Sequence, residues 1–435
     1  MNRAVAELYA PDIITLATKP DTPRIPFKHE VFEEAVEWLH KEGRYTADML
    51  ADPHAHRLIE ETFNALDGAI GASITQEMPE EMTYALRNNA FIFSGFKTHR
   101  TLSEVGLELT DEEGNLKPYA KFLEDVKRID SKYNDTYLYA EYNHAVHTTQ
   151  MAVKWQDFVR DGDEYNLQYR TAGDERVREA HIALDGVTLP PSDKFWDRYL
   201  PPNGWNCRCT VVQVLREDFP LSDSEEAIKR GDENTQSIKR QMFRFNPGKT
   251  LEVFPPKHPY LPKGCGSCQL RLNLAQGNGR EECVACERLT KQQLRFIHNE
   301  ETKKIKGEHR PLVNITSEQF HCGELYYGDR ERKDLIWHCH NTSEIVVVRK
   351  IEGILPTLSN ADTEALDTSK DNYDDKVAKG YKYYTIYEFE AEVLRNGELV
   401  REPFVLKCAL IQKNGRPPQE HPYCIIPKSK FKKRE

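Results

Sequence analysis

Residues 201–214 read PPNGWNCRCTVVQV, and they mark the place where the chain changes from helical to extended patterning. The Pro-Pro-Asn-Gly start predicts a turn, because proline and glycine supply the backbone angles that tight turns require. The run Thr210 to Val214 is rich in β-branched residues and predicts a short strand, as does Leu167 to Arg170. Helical segments followed by short strands predict an α+β fold.

The first two hundred residues are mostly helical in pattern. Phe32, Val36 and Leu39 recur at helical spacing and predict one apolar helix face. A second helix is predicted around residues 138–155, where apolar residues recur at intervals of three, four and seven. The members of this second stripe are Leu138, Tyr142, Ala145, Ala152 and Trp155.

The C-terminal part has β character. Extended patterns cover Ser343 to Arg349, Tyr381 to Leu394 and Phe404 to Gln412. Between the last two, Arg395-Asn396-Gly397-Glu398 is typical of a two-residue hairpin turn, since Asn-Gly adopts the positive φ angles of that turn. We therefore expect residues 384–394 and 400–411 to pair.

Composition shifts divide the chain into four parts. A polar stretch and a proline-rich run, together residues 220–262, separate an α-rich N-terminal domain (residues 1–219) from a cysteine segment (residues 263–290). The remainder, residues 291–435, is predicted to be a C-terminal α+β domain. In this interpretation residues 220–262 are a linker.

Composition limits the function classes. The 435 residues carry 60 basic and 70 acidic side chains, a net charge of −10, which argues against a general nucleic-acid-coating protein. No stretch approaches the ~18 consecutive apolar residues of a membrane span, and no apolar signal-peptide core follows Met1. We expect a cytoplasmic site of synthesis and no membrane partner.

Cysteine spacing predicts a metal site. Cys265-Gly-Ser-Cys268 is followed after fourteen residues by Cys283-Val-Ala-Cys286. Two such Cys-x-x-Cys turns close a tetrahedron of thiolates around zinc, and four protein ligands make that zinc structural. Buried or redox-active thiols are the alternative.

A second cysteine pair is less decisive. Cys207 and Cys209 flank Arg208 directly after the predicted turn. Together with His181 they would offer a nitrogen and two sulfur ligands for a second metal ion. Cysteines packed in a core are the preferred interpretation of this pair, and the metal site is the alternative.

An ordered string of motifs resembles the phage Mu protein F family of head morphogenesis proteins. The string comprises residues 169–178 (YRTAGDERVR), His181, residues 184–186 (LDG), residues 195–196 (FW) and residues 201–209. The resemblance extends over about residues 25–215, which makes residues 1–219 a Mu F-like head morphogenesis domain. It implies a minor head protein that acts at the portal during procapsid assembly. Its implied partners are portal, capsid or scaffold proteins and packaged DNA, and its implied locations are the bacterial host cytoplasm and then the virion head.

Residues of this string are interpreted as architecture rather than as a catalytic centre. Charged side chains are expected to form an ion-pair and loop-fixing network, and two tryptophans are expected to anchor a small α+β module. The charged residues are Arg170, Asp174, Arg178 and Asp185, with Arg176 beside them, and the anchors are Trp196 and Trp205.

The C-terminal domain faintly resembles the barnase, EndoU, colicin and RelE group of small ribonucleases. That resemblance implies an alternative function, a virion-packaged effector with a metal-independent ribonuclease in residues 320–435 and RNA as its partner. Such chemistry needs proton donors and acceptors and cations near the phosphate. The candidate residues are Lys407, Lys413, Arg416, His421 and Tyr423. A head assembly protein without enzymatic activity is the preferred interpretation.

Overall fold

The structure, a computed structural model, describes residues 9, 25–74, 78–162, 164–255, 257–261, 281–308, 311–339, 342–395, 398–413 and 415–432. The chain forms two compact units, residues 1–292 and residues 293–435. The first unit is largely helical with a small sheet, and the second is built on a large sheet. The predicted α+β class is confirmed. No helix in these residues is long and apolar enough to cross a membrane.

Long helices make up most of the first unit, and local sequence sets their ends. Asp52 accepts a hydrogen bond from the amide of His54 at the start of α2, and Pro53 occupies its first position. Gly43 ends α1 with a φ of 67°, a left-handed conformation that favours glycine. The helices are α1 (His29–Glu42), α2 (Pro53–Gly71), α3 (Glu80–Leu107), α4 (Tyr119–Asp130) and α5 (Leu138–Arg160).

The apolar faces predicted from the sequence point into the core of the first unit. Phe32, Val36 and Leu39 of α1 are all buried. On α5 the predicted stripe is buried except for Tyr142, which is half-buried. Helical spacing of apolar residues was therefore a correct guide to the packing of both helices.

A small antiparallel sheet packs beside α5. Its strand order is β2–β1–β3, from β1 (Tyr165–Arg170), β2 (Thr188–Leu189) and β3 (Thr210–Leu215). Two short helices, α6 (Glu179–Ile182) and α7 (Trp196–Tyr199), lie between the strands in sequence. Trp196 is fully buried in a cluster with residues of all three strands and of α5.

Residues 220–255 and 257–261 fall within the first compact unit, in the region where the sequence predicts a linker. The segment contains α8 (Ser224–Asn234), α9 (Ile238–Gln241) and α10 (Pro247–Thr250). Gly248 lies against the Trp155 side chain so closely that a Cβ atom has no room, and Val253 and Phe254 are buried. The boundary between the two compact units falls at residues 292/293. The predicted division into four parts stays a prediction.

The second unit contains a mixed six-stranded sheet of order β4–β5–β9–β8–β7–β6. Neighbouring strands are antiparallel except β5 and β9, which are parallel. The strands are β4 (Val313–Thr316), β5 (Glu324–Tyr327), β6 (Ser359–Ala365), β7 (Tyr381–Arg395), β8 (Glu398–Ile411) and β9 (Gln419–Pro427). Helices α11 (Glu281–Glu308), α12 (Asp329–Trp337), α13 (Thr342–Ile354) and α14 (Tyr373–Ala378) complete the described elements beyond residue 280.

The predicted hairpin is confirmed and one predicted strand is wrong. Strands β7 and β8 pair without interruption from Tyr383 with Leu410 to Arg395 with Glu398. The turn residues 396–397 themselves lie outside the described residues. Residues 343–349, predicted as a strand, lie within helix α13. A short run of Ile and Val shows no periodicity that distinguishes a buried strand from a buried helix. Tertiary packing decides which of the two the segment forms.

Candidate metal centre

The chain turns sharply just before the two cysteines of the Cys-Arg-Cys stretch. Asn206 has a positive φ of 53°, a conformation that asparagine adopts more readily than most residues, and the amide of Cys207 donates to the carbonyl of Gly204 at 3.2 Å. Both sulfur atoms lie within hydrogen-bonding distance of Nδ1 of His181 in α6, so the two thiols face the same side chain.

The three side chains form a compact donor set. The Nδ1 atom of His181 lies 3.6 Å from the Cys207 sulfur and 3.4 Å from the Cys209 sulfur. All three donor atoms lie within 4.8 Å of one another. With Zn–S bonds of about 2.3 Å and Zn–N bonds of about 2.1 Å, tetrahedral zinc ligands lie about 3.6 Å apart. The spacing of the donor atoms fits zinc with one coordination position left for another ligand.

The pKa values of the two thiols are shifted in opposite directions. A hydrogen bond from the Cys209 thiol, and then one from His181, holds the pKa of Cys207 well below its usual value despite burial. The pKa of Cys209 is raised, first by its bond to Cys207 and then by burial. A divalent cation between the sulfurs would stabilise both thiolates, as metal ligands require deprotonated cysteine.

Hydrogen bonds from neighbouring side chains hold the ligand-bearing loop. Arg178, which begins α6, donates from its guanidinium to the backbone carbonyl of Trp205 at 2.7 Å. The buried Tyr169 of β1 donates from its hydroxyl to Asn203 at 2.9 Å. The loop that carries the cysteines is thus tied both to the helix of His181 and to the sheet.

The predicted charged network is divided into separate contacts. Asp174 forms a bidentate ion pair with Arg208, with both bonds at 2.6 Å. The hydrogen bond from Arg208 is the largest of the effects that lower the pKa of Asp174 to about 2. Asp185 accepts bonds from the amide and hydroxyl of Thr171 at 2.7 and 3.0 Å. Arg170 is exposed at the end of β1. These charged residues therefore hold individual loops in place. The sequence did not reveal Arg208 as the partner of Asp174.

Both predicted tryptophan anchors are buried. The indole of Trp196 donates to the carbonyl of Pro190 at 3.1 Å. Trp205 lies with its ring 5.2 Å from the ring centre of Tyr9 and 4.9 Å from that of His144. The two tryptophans occupy different places: Trp196 fills the core beside the small sheet, and Trp205 connects the cysteine loop to the helices.

A buried charged network lies within the helices of the first unit, and sequence reasoning missed it. Lys97 of α3 and Glu141 of α5 form an ion pair with side chains 1% and 0% exposed. The second oxygen of Glu141 accepts bonds from the hydroxyls of Tyr9 and Tyr260, at 2.7 and 3.0 Å. The Tyr9 hydroxyl also lies 3.2 Å from Nε2 of His258. A sequence signal for this buried network was the position of Glu141, a charged residue three residues from Leu138 on the apolar face of α5.

Two of the four cysteines of the predicted zinc site lie outside the described residues. Cys265 and Cys268 lie in the undescribed segment 262–280, as does the start of the predicted knuckle, residues 263–290. Cys283 and Cys286 lie on helix α11, where Cys286 is buried. Within the described ranges the His181, Cys207 and Cys209 set is the group that meets the geometry of a metal site.

The five C-terminal candidate residues are not all brought together. Lys407 and Tyr423 both lie close to Lys376 and Tyr384. The Nδ1 atom of His421 instead lies 3.0 Å from Oε1 of Glu331. The remaining candidates, Lys413 and Arg416, are exposed in the turn after β8.

Comparison with known proteins identifies the segment that carries the candidate metal centre. Residues 112–212 match the family model described as Phage Mu protein F like protein. Residues 112–212 are therefore a Mu F-like segment. This Mu F-like segment runs from the turn before α4, through α5 and the small sheet, into β3, and it contains all three ligands of the candidate centre.

Two curated relatives share sequence with the chain. A protein of Escherichia phage Mu named putative capsid assembly protein F is 26% identical over 166 residues, 38% of this chain and 35% of the relative. The Mu-like prophage FluMu F protein of Haemophilus influenzae is 41% identical over 65 residues, 15% of this chain and 16% of the relative. The chain thus spans about a third or less of the length of these relatives. No solved structure matches the chain.

Proposed function

We propose that this chain is a minor head protein that acts in phage head morphogenesis, at the portal or procapsid. The observation that carries the proposal is the Mu F-like segment, because the phage Mu relative is named a putative capsid assembly protein. Portal, capsid or scaffold proteins are the proposed partners, with packaged DNA as a further contact. The host cytoplasm during assembly and then the virion head are the proposed locations.

Exposed apolar side chains on α5 and β3 support a protein partner. Val159, near the end of α5, is 58% exposed, and Leu215, the last residue of β3, is 52% exposed. The ends of these elements lie side by side, since Arg216 donates to the carbonyl of Gly162 at 2.6 Å. Exposed apolar groups near these two element ends favour burial against another protein.

Deletion and complementation of the gene in its phage or prophage test this function. We expect loss of the chain to reduce DNA-filled heads seen by electron microscopy, and wild-type chain to restore them. The double variant Val159→Asp and Leu215→Asp should fail to restore them, because charge opposes burial at the contact. Val377→Asp, at an exposed apolar residue of the second unit, is the matched control and should restore them. Normal numbers of filled heads without the chain would contradict the proposal.

We also propose zinc as a structural cofactor. His181, Cys207 and Cys209 support one site by their donor types and spacing. Cys265, Cys268, Cys283 and Cys286 support a second by their sequence spacing. The zinc ion supplies charge neutralisation and cross-linking, while Arg178 and Tyr169 hold the loop in which two of the ligands lie.

Metal analysis of the purified full chain separates the two sites. We expect two zinc ions per chain, one lost in His181→Ala or Cys207→Ser and the other in Cys265→Ser with Cys268→Ser. Cys322→Ser, at a half-buried cysteine of the second unit, should retain both. Unchanged zinc in His181→Ala would remove the first site, and unchanged zinc in the double cysteine variant would remove the second.

A further inference from the structure

The candidate metal centre has three protein donors, whereas structural zinc is almost always bound by four. The fourth donor decides what the ion does. Water in that position leaves the ion open to exchange, whereas a fourth side chain closes the site. Helix α5 provides side chains that contact residues 206–210 on either side of the two cysteines, so it is the place to expect a fourth donor.

Two hydrogen bonds fix how α5 lies along residues 206–210. The side-chain amide of Asn143 donates to the side-chain carbonyl of Asn206 at 3.1 Å. The ammonium group of Lys154 donates to the hydroxyl of Thr210 at 3.4 Å. Asn143 and Lys154 are eleven residues apart on α5, which is about three helical turns. Both contacts therefore lie on one face of α5, and residues 206–210 follow that face in the direction of the helix.

His147 lies on this same face of α5. It follows Asn143 by four residues, about one helical turn, and precedes Lys154 by seven residues, about two turns. The face contacts Asn206 at its beginning and Thr210 at its end. Because His147 lies between these two contacts, it is level with the two cysteines that lie between Asn206 and Thr210 in sequence.

The state of the His147 ring fits a metal ligand. Its Nδ1 atom is buried and has no hydrogen-bond partner among the described residues. A buried nitrogen without a partner costs free energy, and native structures contain few of them. Burial lowers the pKa of His147, and the charge of Cys207 acts on the ring in the opposite direction. A neutral imidazole is the form in which histidine binds zinc.

The neighbouring histidine of α5 has a different environment. The ring centre of His144 lies 4.9 Å from that of Trp205 and 5.4 Å from that of Phe243, and the residue is 1% exposed. His144 therefore belongs to the aromatic core. His147 and Cys209 are half-buried, so a metal ion can reach their side of the centre from solvent.

We propose that His147 is the fourth ligand of the zinc ion at the candidate metal centre. The inference rests on the proposed zinc cofactor and extends it, because two cysteines and two histidines form a closed site. Zinc would then cross-link α5 to α6 and to the loop that carries the cysteines. His147 is not part of the donor set whose atoms lie within 4.8 Å of one another, so zinc binding requires its side chain to rotate toward the ion.

Zinc affinity and cobalt substitution in the purified full chain test the fourth ligand. The background is Cys265→Ser with Cys268→Ser, which removes the other predicted zinc site. In this background we expect His147→Gln to weaken zinc binding, measured by competition with a chelator, by about tenfold or more. The visible absorption of tetrahedral cobalt should also weaken as water replaces the imidazole. His29→Gln is the matched control and should change neither measurement, since the His29 ring lies beside Asp130 at the start of α1.

X-ray absorption of the zinc-loaded background chain gives a second measurement, without any change at residue 147. We expect two imidazole ligands on zinc, and a single imidazole would overturn the inference. Zinc affinity and a cobalt spectrum unchanged in His147→Gln would also overturn it, while the three-donor centre would stand. A background chain that binds neither zinc nor cobalt would contradict the zinc proposal itself, and the assignment of His147 would fail with it.

Discussion

The buried Lys–Glu pairs of the two units differ in how completely their carboxylate oxygens are hydrogen-bonded. In the first unit Lys97 and Glu141 are completely enclosed, and both oxygens of Glu141 have donors. In the second unit Lys407 and Glu364 also pair away from water, but one oxygen of Glu364 lacks a donor among the described residues. A completely satisfied network is typical of architecture, whereas a buried oxygen without a donor costs free energy. The Mu F-like segment lies in the first unit.

The largest expected effect is on the enclosed pair of the first unit. Glu141→Ala leaves the Lys97 ammonium uncompensated in the core, and we expect it to lower the free energy of unfolding by about 3–5 kcal/mol. Urea unfolding followed by tryptophan fluorescence measures the change. Glu37→Ala is the matched control, because Glu37 pairs with Lys41 on the surface, where water screens the pair and its contribution to stability is small. A Glu141→Ala variant as stable as this control would contradict an architectural role.

The next effect tests whether residues 220–262 belong to the first unit. Gly248→Ala places a methyl group against Trp155 where no space exists, and we expect a loss of about 1–3 kcal/mol in the free energy of unfolding. Gly68→Ala, in the interior of α2 with nothing near its added methyl group, should instead stabilise by about 0.5–1 kcal/mol. If residues 220–262 were a linker, Gly248→Ala would leave unfolding unchanged.

A smaller effect depends on pH. Burial first, and then His147, lowers the pKa of His144 to about 3, below the roughly 6.5 of an unfolded histidine. Between these values the unfolded state binds the proton that the folded state excludes, so the stability present above pH 6.5 is lost as the pH falls. Between pH 6 and pH 4 we expect the free energy of unfolding of His144→Gln to fall less steeply than that of the wild type, by about 1.4 kcal/mol per pH unit. Equal slopes for variant and wild type in urea titrations would show that His144 is protonated in the folded chain.

Local sequence patterns predicted the local features of the fold. The apolar stripes of α1 and α5 follow from helical spacing, and the pairing of β7 with β8 follows from an Asn-Gly step between two extended runs. The strand prediction for residues 343–349 failed because a short apolar run carries no usable period. Periodicity therefore sufficed where a segment was long, and failed where it was short.

The sites depended on contacts that no local pattern encodes. His181 and Cys207 are 26 residues apart, and the sequence suggested them only as one alternative. Glu141 and Tyr9 are 132 residues apart, and a lone tyrosine near the chain start gives no sign of insertion into the core. Lys376 meets Tyr423 through the fold of the sheet. Long-range side-chain contacts of this kind are set by tertiary packing, which composition and spacing do not specify.

The central claim is that the Mu F-like segment serves head assembly with its metal ligands in place. The most direct measurement is the amount of this chain in purified heads, by quantitative mass spectrometry, when the phage gene carries Cys207→Ser with Cys209→Ser. Cys322→Ser is the control, and zinc is measured in each purified chain. We expect the double variant to lose one zinc ion and to fall at least tenfold in heads, while the control matches wild type. A double variant that lacks this zinc ion yet enters heads at the wild-type level would contradict the claim.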